Sequence, residues 1–176
     1  MIPMCLVTGF LGSGKTTLLR SIARRHRDRR LVYLVNDFAS VDVDGKLVGS
    51  GAEVVSIPGG SIFCVCLVDR FVEHLSEIAD RADFAGVEGV IVEASGIANP
   101  LVVRRMLRET RLDRRFALRR VISVVDPGSF PKLLHTLPNV RDQVAAADTV
   151  LVSKPDLHHE GVLADVEAEV RAIQPG

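Results

Sequence analysis

Eight residues near the amino terminus, Gly9-Phe-Leu-Gly-Ser-Gly-Lys-Thr16, have the spacing G-x-x-x-x-G-K-[ST]. They follow an apolar, β-branched run and open an amphipathic one, the strand–loop–helix setting in which such a loop binds phosphate. Gly9, Gly12 and Gly14 let the backbone bend until its N–H groups converge on an anion. Ser13, Lys15, Thr16 and Thr17 stand where a helix begins, and a helix N-terminus adds partial positive charge. Lys15 would reach the terminal phosphates, and Thr16 would offer its hydroxyl to magnesium.

One hydroxyl and two phosphate oxygens do not complete a magnesium shell, so carboxylates are expected nearby. Glu93 ends the apolar run Val90-Ile-Val-Glu93, where a Walker-B acid belongs, and Asp37 follows the apolar run 31–36. Lys15, Asp37 and Glu93 are therefore the expected catalytic set, with Thr16, Asp37 and Glu93 holding the cation. Gly96, three residues after Glu93, could bring its N–H to the terminal phosphate. The next residue is Ile97, not a glutamine that would orient water, so slow turnover is expected, or a water activated by another residue. Farther on, Thr149-Val-Leu-Val-Ser-Lys-Pro-Asp156 is a strand-like run ending in Lys-x-Asp. The Asp156 carboxylate can accept two hydrogen bonds from a guanine edge, and the Lys154 stem can lie along the base. GTP is thus the expected substrate. Cys64 and Cys66, two residues apart, are candidate soft ligands for zinc or cobalt; two thiols fall short of a closed four-ligand site. Their other reading is as small buried hydrophobes, and Cys5, inside the first apolar run, is read as core.

These residues need a frame. Strands are expected at 4–8, 31–36, 53–57, 89–93, 120–125 and 149–153, several of them apolar throughout, as strands buried on both faces are. Helices are expected at 16–27, 67–82, 101–109, 139–147 and 161–173, with irregular segments at 37–51, 58–66 and 111–115. Alternating strands and helices imply an α/β fold: a doubly wound, mostly parallel sheet with helices on both faces, forming one P-loop domain over residues 1–176. Ligands of such folds bind beyond the carboxyl ends of the strands, where the motifs fall.

Composition narrows the partners. Lys plus Arg and Asp plus Glu are 22 each, so no global field calls for nucleic acid or an anionic membrane. The arginine-dense stretches read as solvated helix faces. No apolar run approaches the roughly 20 residues of a membrane span, and the first residues do not read as a signal peptide. Three cysteines do not make a disulfide framework, so a reducing cytoplasm is expected.

Taken together, GFLGSGKTTLL, VNDFASVDVD, EASGIANP, VVDP and DQVAAADTVLVSKPD resemble the CobW-like GTPases, relatives of the nickel-insertion GTPases of hydrogenase and urease maturation. The resemblance runs from Met4 to about Gly176. It implies a GTP-dependent metallochaperone, or an insertion switch for metal or cofactor, that works on a metalloprotein client or as a homodimer. The chain departs from the family's pattern at several points. The family's Gly-Cys-x-Cys-Cys corresponds to Gly60-Ser-Ile-Phe-Cys64, which keeps one thiol, with Cys66 two residues on. Asn-Glu-Phe-Gly-Glu corresponds to Asn36-Asp-Phe-Ala-Ser40, and Ser153 stands where Asn is expected, which should hold the base loop less firmly. The family usually adds a smaller C-terminal domain. Here Gln-Pro-Gly176 reads as a helix stop where another strand should follow, so a longer native polypeptide, or completion by a partner, is expected. Two other functions fit the P-loop: an ATP-using small-molecule kinase, which would not need Lys154-x-Asp156, and a non-catalytic nucleotide-binding regulator.

Overall fold

The computed structural model describes residues 1–37, 53–59, 61, 62 and 67–175, with the backbone alone for residues 37 and 82–85. Six strands form one sheet: β1 (Ile2–Thr8), β2 (Leu31–Asp37), β3 (Glu53–Pro58), β4 (Gly89–Glu93), β5 (Phe116–Val125) and β6 (Thr149–Val152). Their order is β3-β2-β4-β1-β5-β6, and every pairing is parallel. Parallel neighbours need crossovers. The described helices are α1 (Lys15–Arg25), α2 (Val68–Ala85), α3 (Val103–Glu109), α4 (Phe130–Thr136), α5 (Pro138–Ala145) and α6 (Glu160–Ile173). None of them is long and apolar enough to cross a membrane.

The period of two along each strand divides the core. Met4 and Leu6 of β1, Val32 and Leu34 of β2, and Val90 and Val92 of β4 pack with Phe71, Leu75 and Ile78 of α2 and Met106 and Leu107 of α3. The intervening Val7, Tyr33, Val35 and Ile91 pack on the other face with Leu19 and Ala23 of α1. Burying each such side chain contributes about 1.5–3 kcal/mol, so the register is firmly set. By the same alternation Glu93, two residues past Ile91, falls on the α1 face. A third cluster joins Val125 to Phe130, Val140, Val144 and Val166, seating α4, α5 and α6 against the β5–β6 side.

The α/β architecture agrees with the sequence reading, and three local expectations need correction. β5 begins at Phe116, four residues before the expected start at 120. Its early part pairs with β1 across a register shift between Met4 and Cys5, where Met4 faces Leu118 and Cys5 faces Arg120. The irregularity breaks the alternation and hides the strand. Helix α4 has no counterpart among the expected helices; Pro131 lies in its first turn, where proline is tolerated. The segment 111–115 holds a short 3-10 turn, Leu112–Arg114. Cys5 does lie in β1, but it is only partly buried. Desolvation pushes its thiol up to about 11, so it is protonated and packs at neutral pH.

Candidate nucleotide-binding site

The loop after β1 turns beside β5. A side chain at Gly9 would place its Cβ 2.2 Å from the Val124 carbonyl oxygen, and φ there is +134°, so only glycine fits. The loop closes with the Ser13 N–H donating to the Phe10 carbonyl at 3.2 Å, and Gly14 caps the N-terminus of α1. Lys15 is buried in the first turn of α1, and its ammonium donates to the Phe10 carbonyl at 3.1 Å. Thr17 is exposed on the same turn. The Thr16 hydroxyl donates to a Glu93 carboxylate oxygen at 3.0 Å, across 77 residues of sequence. Strand register produces this meeting: Val7 pairs with Glu93, and the Ala94 N–H donates to the Val7 carbonyl at 2.9 Å.

The Lys-x-Asp segment reaches the same loop from β6. Lys154 has φ +50° and caps the 3-10 turn Pro155–Leu157. Its ammonium donates to the Gly12 carbonyl at 3.0 Å and to Asp126 at 2.9 Å. Burial at Asp126 opposes its charge, but the Lys154 ammonium, the Gly128 N–H and the nearby His158 outweigh it and hold the carboxyl below the usual carboxylate value. Ser153 lies against Gly14, and both its hydroxyl (3.1 Å) and its N–H (2.8 Å) donate to the Val125 carbonyl. The side-chain tie from this segment to the phosphate loop is thus made by Lys154, while Ser153 anchors to β5. Asp156 is exposed.

Gly96 is buried against the phosphate loop: a Cβ there would lie 2.5 Å from the Leu11 nitrogen. The segment is held partly by Asn36 at the end of β2. The Asn36 carboxamide oxygen accepts from the Ser95 N–H (3.3 Å) and the Ile62 N–H (3.0 Å), and its Nδ2 donates to the Ile57 carbonyl (3.1 Å). One buried side chain thereby ties β2, the end of β3 and the segment after β4. Each buried polar group that loses its partner costs about 1–3 kcal/mol. Asn36→Ala is therefore expected to lower stability by roughly 3 kcal/mol or more, read as a urea midpoint shift at constant m-value. A midpoint within error of wild type would mean these bonds contribute nothing.

The structure brings Gly9, Gly12, Ser13, Gly14, Lys15, Thr16, Glu93, Gly96 and Lys154 to one end of the sheet. The Asp37 side chain, Cys64 and Cys66 lie outside the described residues. Among the described residues no cluster of three or more His, Cys, Asp or Glu could hold a metal ion. Sequence reasoning passed over Asn36, Asp126 and Gln143. Asp126 directly follows the apolar end of β5, a signal close to the one that drew attention to Glu93. Gln143 is a buried amide between Val140 and Val144, a polar residue on an apolar stripe.

Residues 3–176 match the family "CobW/HypB/UreG, nucleotide-binding domain". Zinc chaperone YjiA of Escherichia coli is 28% identical over 162 residues, covering 90% of this chain and 51% of that protein. Zinc chaperone YeiR of the same organism is 32% identical over 154 residues, covering 86% of this chain and 46% of that protein. The chain spans about half the length of the curated relatives it matches. The crystal structure of Zn(II)-bound YjiA GTPase aligns with a TM-score of 0.69 at 23% identity, over 97% of this chain and 54% of that one. HypB from Helicobacter pylori in complex with nickel aligns with a TM-score of 0.69 at 17% identity, over 99% of this chain and 75% of that one. These likenesses show the same fold, and with the match along nearly its whole length the chain belongs to the CobW/HypB/UreG nucleotide-binding domain family.

Proposed function

We propose that this chain is a magnesium-dependent GTPase that acts as the switch of a metal-handling chaperone. The observation that carries the reading is the Thr16–Glu93 hydrogen bond at the foot of the phosphate loop. It sets a hydroxyl and a carboxylate oxygen side by side, and magnesium takes such hard oxygen donors. Thr16 and Glu93, with Asp37, would hold the ion, which would supply charge neutralisation at the β- and γ-phosphates. The chain's own groups do the rest. Lys15 exchanges the Phe10 carbonyl for phosphate oxygens. The backbone N–H groups of the loop and of Gly96 surround the terminal phosphate. Lys154, pinned to Gly12 and Asp126, frames the base for Asp156. With Ile97 where a water-orienting glutamine would stand, hydrolysis is slow, as suits a switch whose state must persist.

Metal is the cargo in this reading, and Cys64 and Cys66 are its proposed ligands. That relatives are named zinc chaperones supports zinc as the ion. Thiols must deprotonate to bind, so uptake releases protons and weakens as pH falls. The test is cobalt titration of wild type and the Cys64→Ser/Cys66→Ser double variant, each with a GTP analogue, GDP or no nucleotide. Thiolate-to-cobalt charge-transfer absorption is expected in wild type only, with the tightest binding alongside the GTP analogue. Equal affinity of the double variant in every nucleotide state would reduce these cysteines to packing residues. GTP turnover no faster than spontaneous hydrolysis would remove the enzymatic part of the proposal.

A further inference from the structure

Beyond the Asn36 contact at Ser95, the main chain after β4 is held through its carbonyls by one helix. Gln143 of α5 donates from Nε2 to the carbonyls of Gly96 (3.0 Å) and Ala98 (3.2 Å). Asn139, one turn earlier, donates from Nδ2 to the Ile97 carbonyl at 3.0 Å. Asp142 accepts from the Asn99 Nδ2 at 2.8 Å. Three successive carbonyls, at 96, 97 and 98, are thus captured by side-chain amides of α5. Gln143 is 1% exposed between Val140 and Val144, in a position where an apolar residue would pack without the cost of burying an amide. What its two donors meet in that setting is the main chain around Gly96.

The consequence follows from peptide geometry. A trans peptide is planar, and its C=O and N–H point in opposite directions. Holding the Gly96 carbonyl on α5 therefore turns the Ile97 N–H away from α5. The preceding peptide is constrained as well, because the Ala98 N–H donates to the Ser95 carbonyl at 2.9 Å. Gly96 itself lies against Leu11 of the phosphate loop, so the N–H groups whose directions are set belong to the segment nearest that loop.

We propose that Gln143, assisted by Asn139, is a positioning residue that aims the main-chain N–H groups at Gly96 and Ile97 toward the terminal phosphate of a bound nucleoside triphosphate. The proposal rests on the reading of the loop as a triphosphate site. It assigns α5 a task in telling triphosphate from diphosphate, since the loss of the terminal phosphate removes the partner that those N–H groups await.

The test is calorimetry of GDP and of a non-hydrolysable GTP analogue against Gln143→Met, which keeps the length of the side chain and deletes both donors. GDP affinity is expected to stay within about twofold of wild type, while the analogue weakens about tenfold, the equivalent of one neutral hydrogen bond misdirected. A merely structural role would lower the melting temperature, or weaken both nucleotides alike, and leave their ratio unchanged; either result overturns the proposal. Asn139→Ala, at an exposed position, should keep the fold and cut the analogue-to-GDP ratio about two- to threefold. It decides the matter if Gln143→Met does not fold, and an unchanged ratio there overturns the proposal. Lys15→Ala in the same assay separates the two levels. Wild-type binding of both nucleotides by Lys15→Ala would sink the phosphate-site reading itself. Lost binding by Lys15→Ala, with wild-type ratios in both amide variants, would sink the positioning role alone.

Discussion

Lys15→Ala is expected to weaken binding of a GTP analogue by at least about a hundredfold while leaving the fold intact. Hydrogen bonds to charged groups contribute about 1.5–3 kcal/mol each, and an ammonium between two phosphate oxygens makes at least two, so 3–6 kcal/mol is at stake. Every 1.4 kcal/mol is about tenfold in affinity. The competing concern is that removal of a buried side chain disorders the loop. Two observations argue against it. The loop is also closed by the Ser13 N–H on the Phe10 carbonyl, which the substitution does not touch. The Gly9 approach to Val124 is set by backbone alone. Alanine also suits the first turn of a helix. The loss should therefore be chemical, with the thermal midpoint close to wild type and the affinity collapsed. Calorimetry that finds unchanged affinity would mean that the triphosphate lies elsewhere.

The frame and half of the candidate site were legible because they depend on local rules. Apolar strand runs, the phosphate loop after β1 and a carboxylate at the end of β4 can each be read within a dozen residues. Period-two alternation even selects the face on which Glu93 must lie, and α1 occupies that face with Thr16. The parts that escaped depend on where distant segments meet. Asn36 joins segments 21, 26 and 59 residues away, and nothing in its neighbourhood announces those partners. Gln143 captures carbonyls 45 and 47 residues upstream. Its only trace in the sequence is an amide between two valines of an apolar helical stripe. Helix α4 escaped for another reason: proline has opposite meanings in a first turn and in a helix interior, and the sequence pattern does not separate them. The Ser153 expectation shows the same limit. Its length relative to asparagine was visible, but the tie that Lys154 makes to Gly12 and Asp126 was not.

Asp156→Asn is expected to move base preference from guanine to xanthine. A carboxylate accepts from both guanine N1–H and the 2-amino group; adenine offers no such pair and turns a ring-nitrogen acceptor toward the charge. Losing one charge-assisted bond, at about 1.5–3 kcal/mol, together with the charge of the other would weaken GTP by roughly a hundredfold. With asparagine, the amide oxygen still accepts from N1–H, but the amide nitrogen meets the guanine amino group, donor against donor. Xanthine replaces that amino group with a carbonyl, so the same amide nitrogen gains an acceptor. The substitution should act cleanly because Asp156 is exposed and its frame is built by other residues. Lys154 holds the turn to Gly12 and Asp126, and Ser153 holds it to β5. Competition of GTP, ATP and XTP for wild type and variant measures the exchange. Wild type binding ATP as tightly as GTP would dispose of guanine reading at this segment. A variant that loses GTP without gaining XTP would leave Asp156 a part of the loop and not a reader of the base.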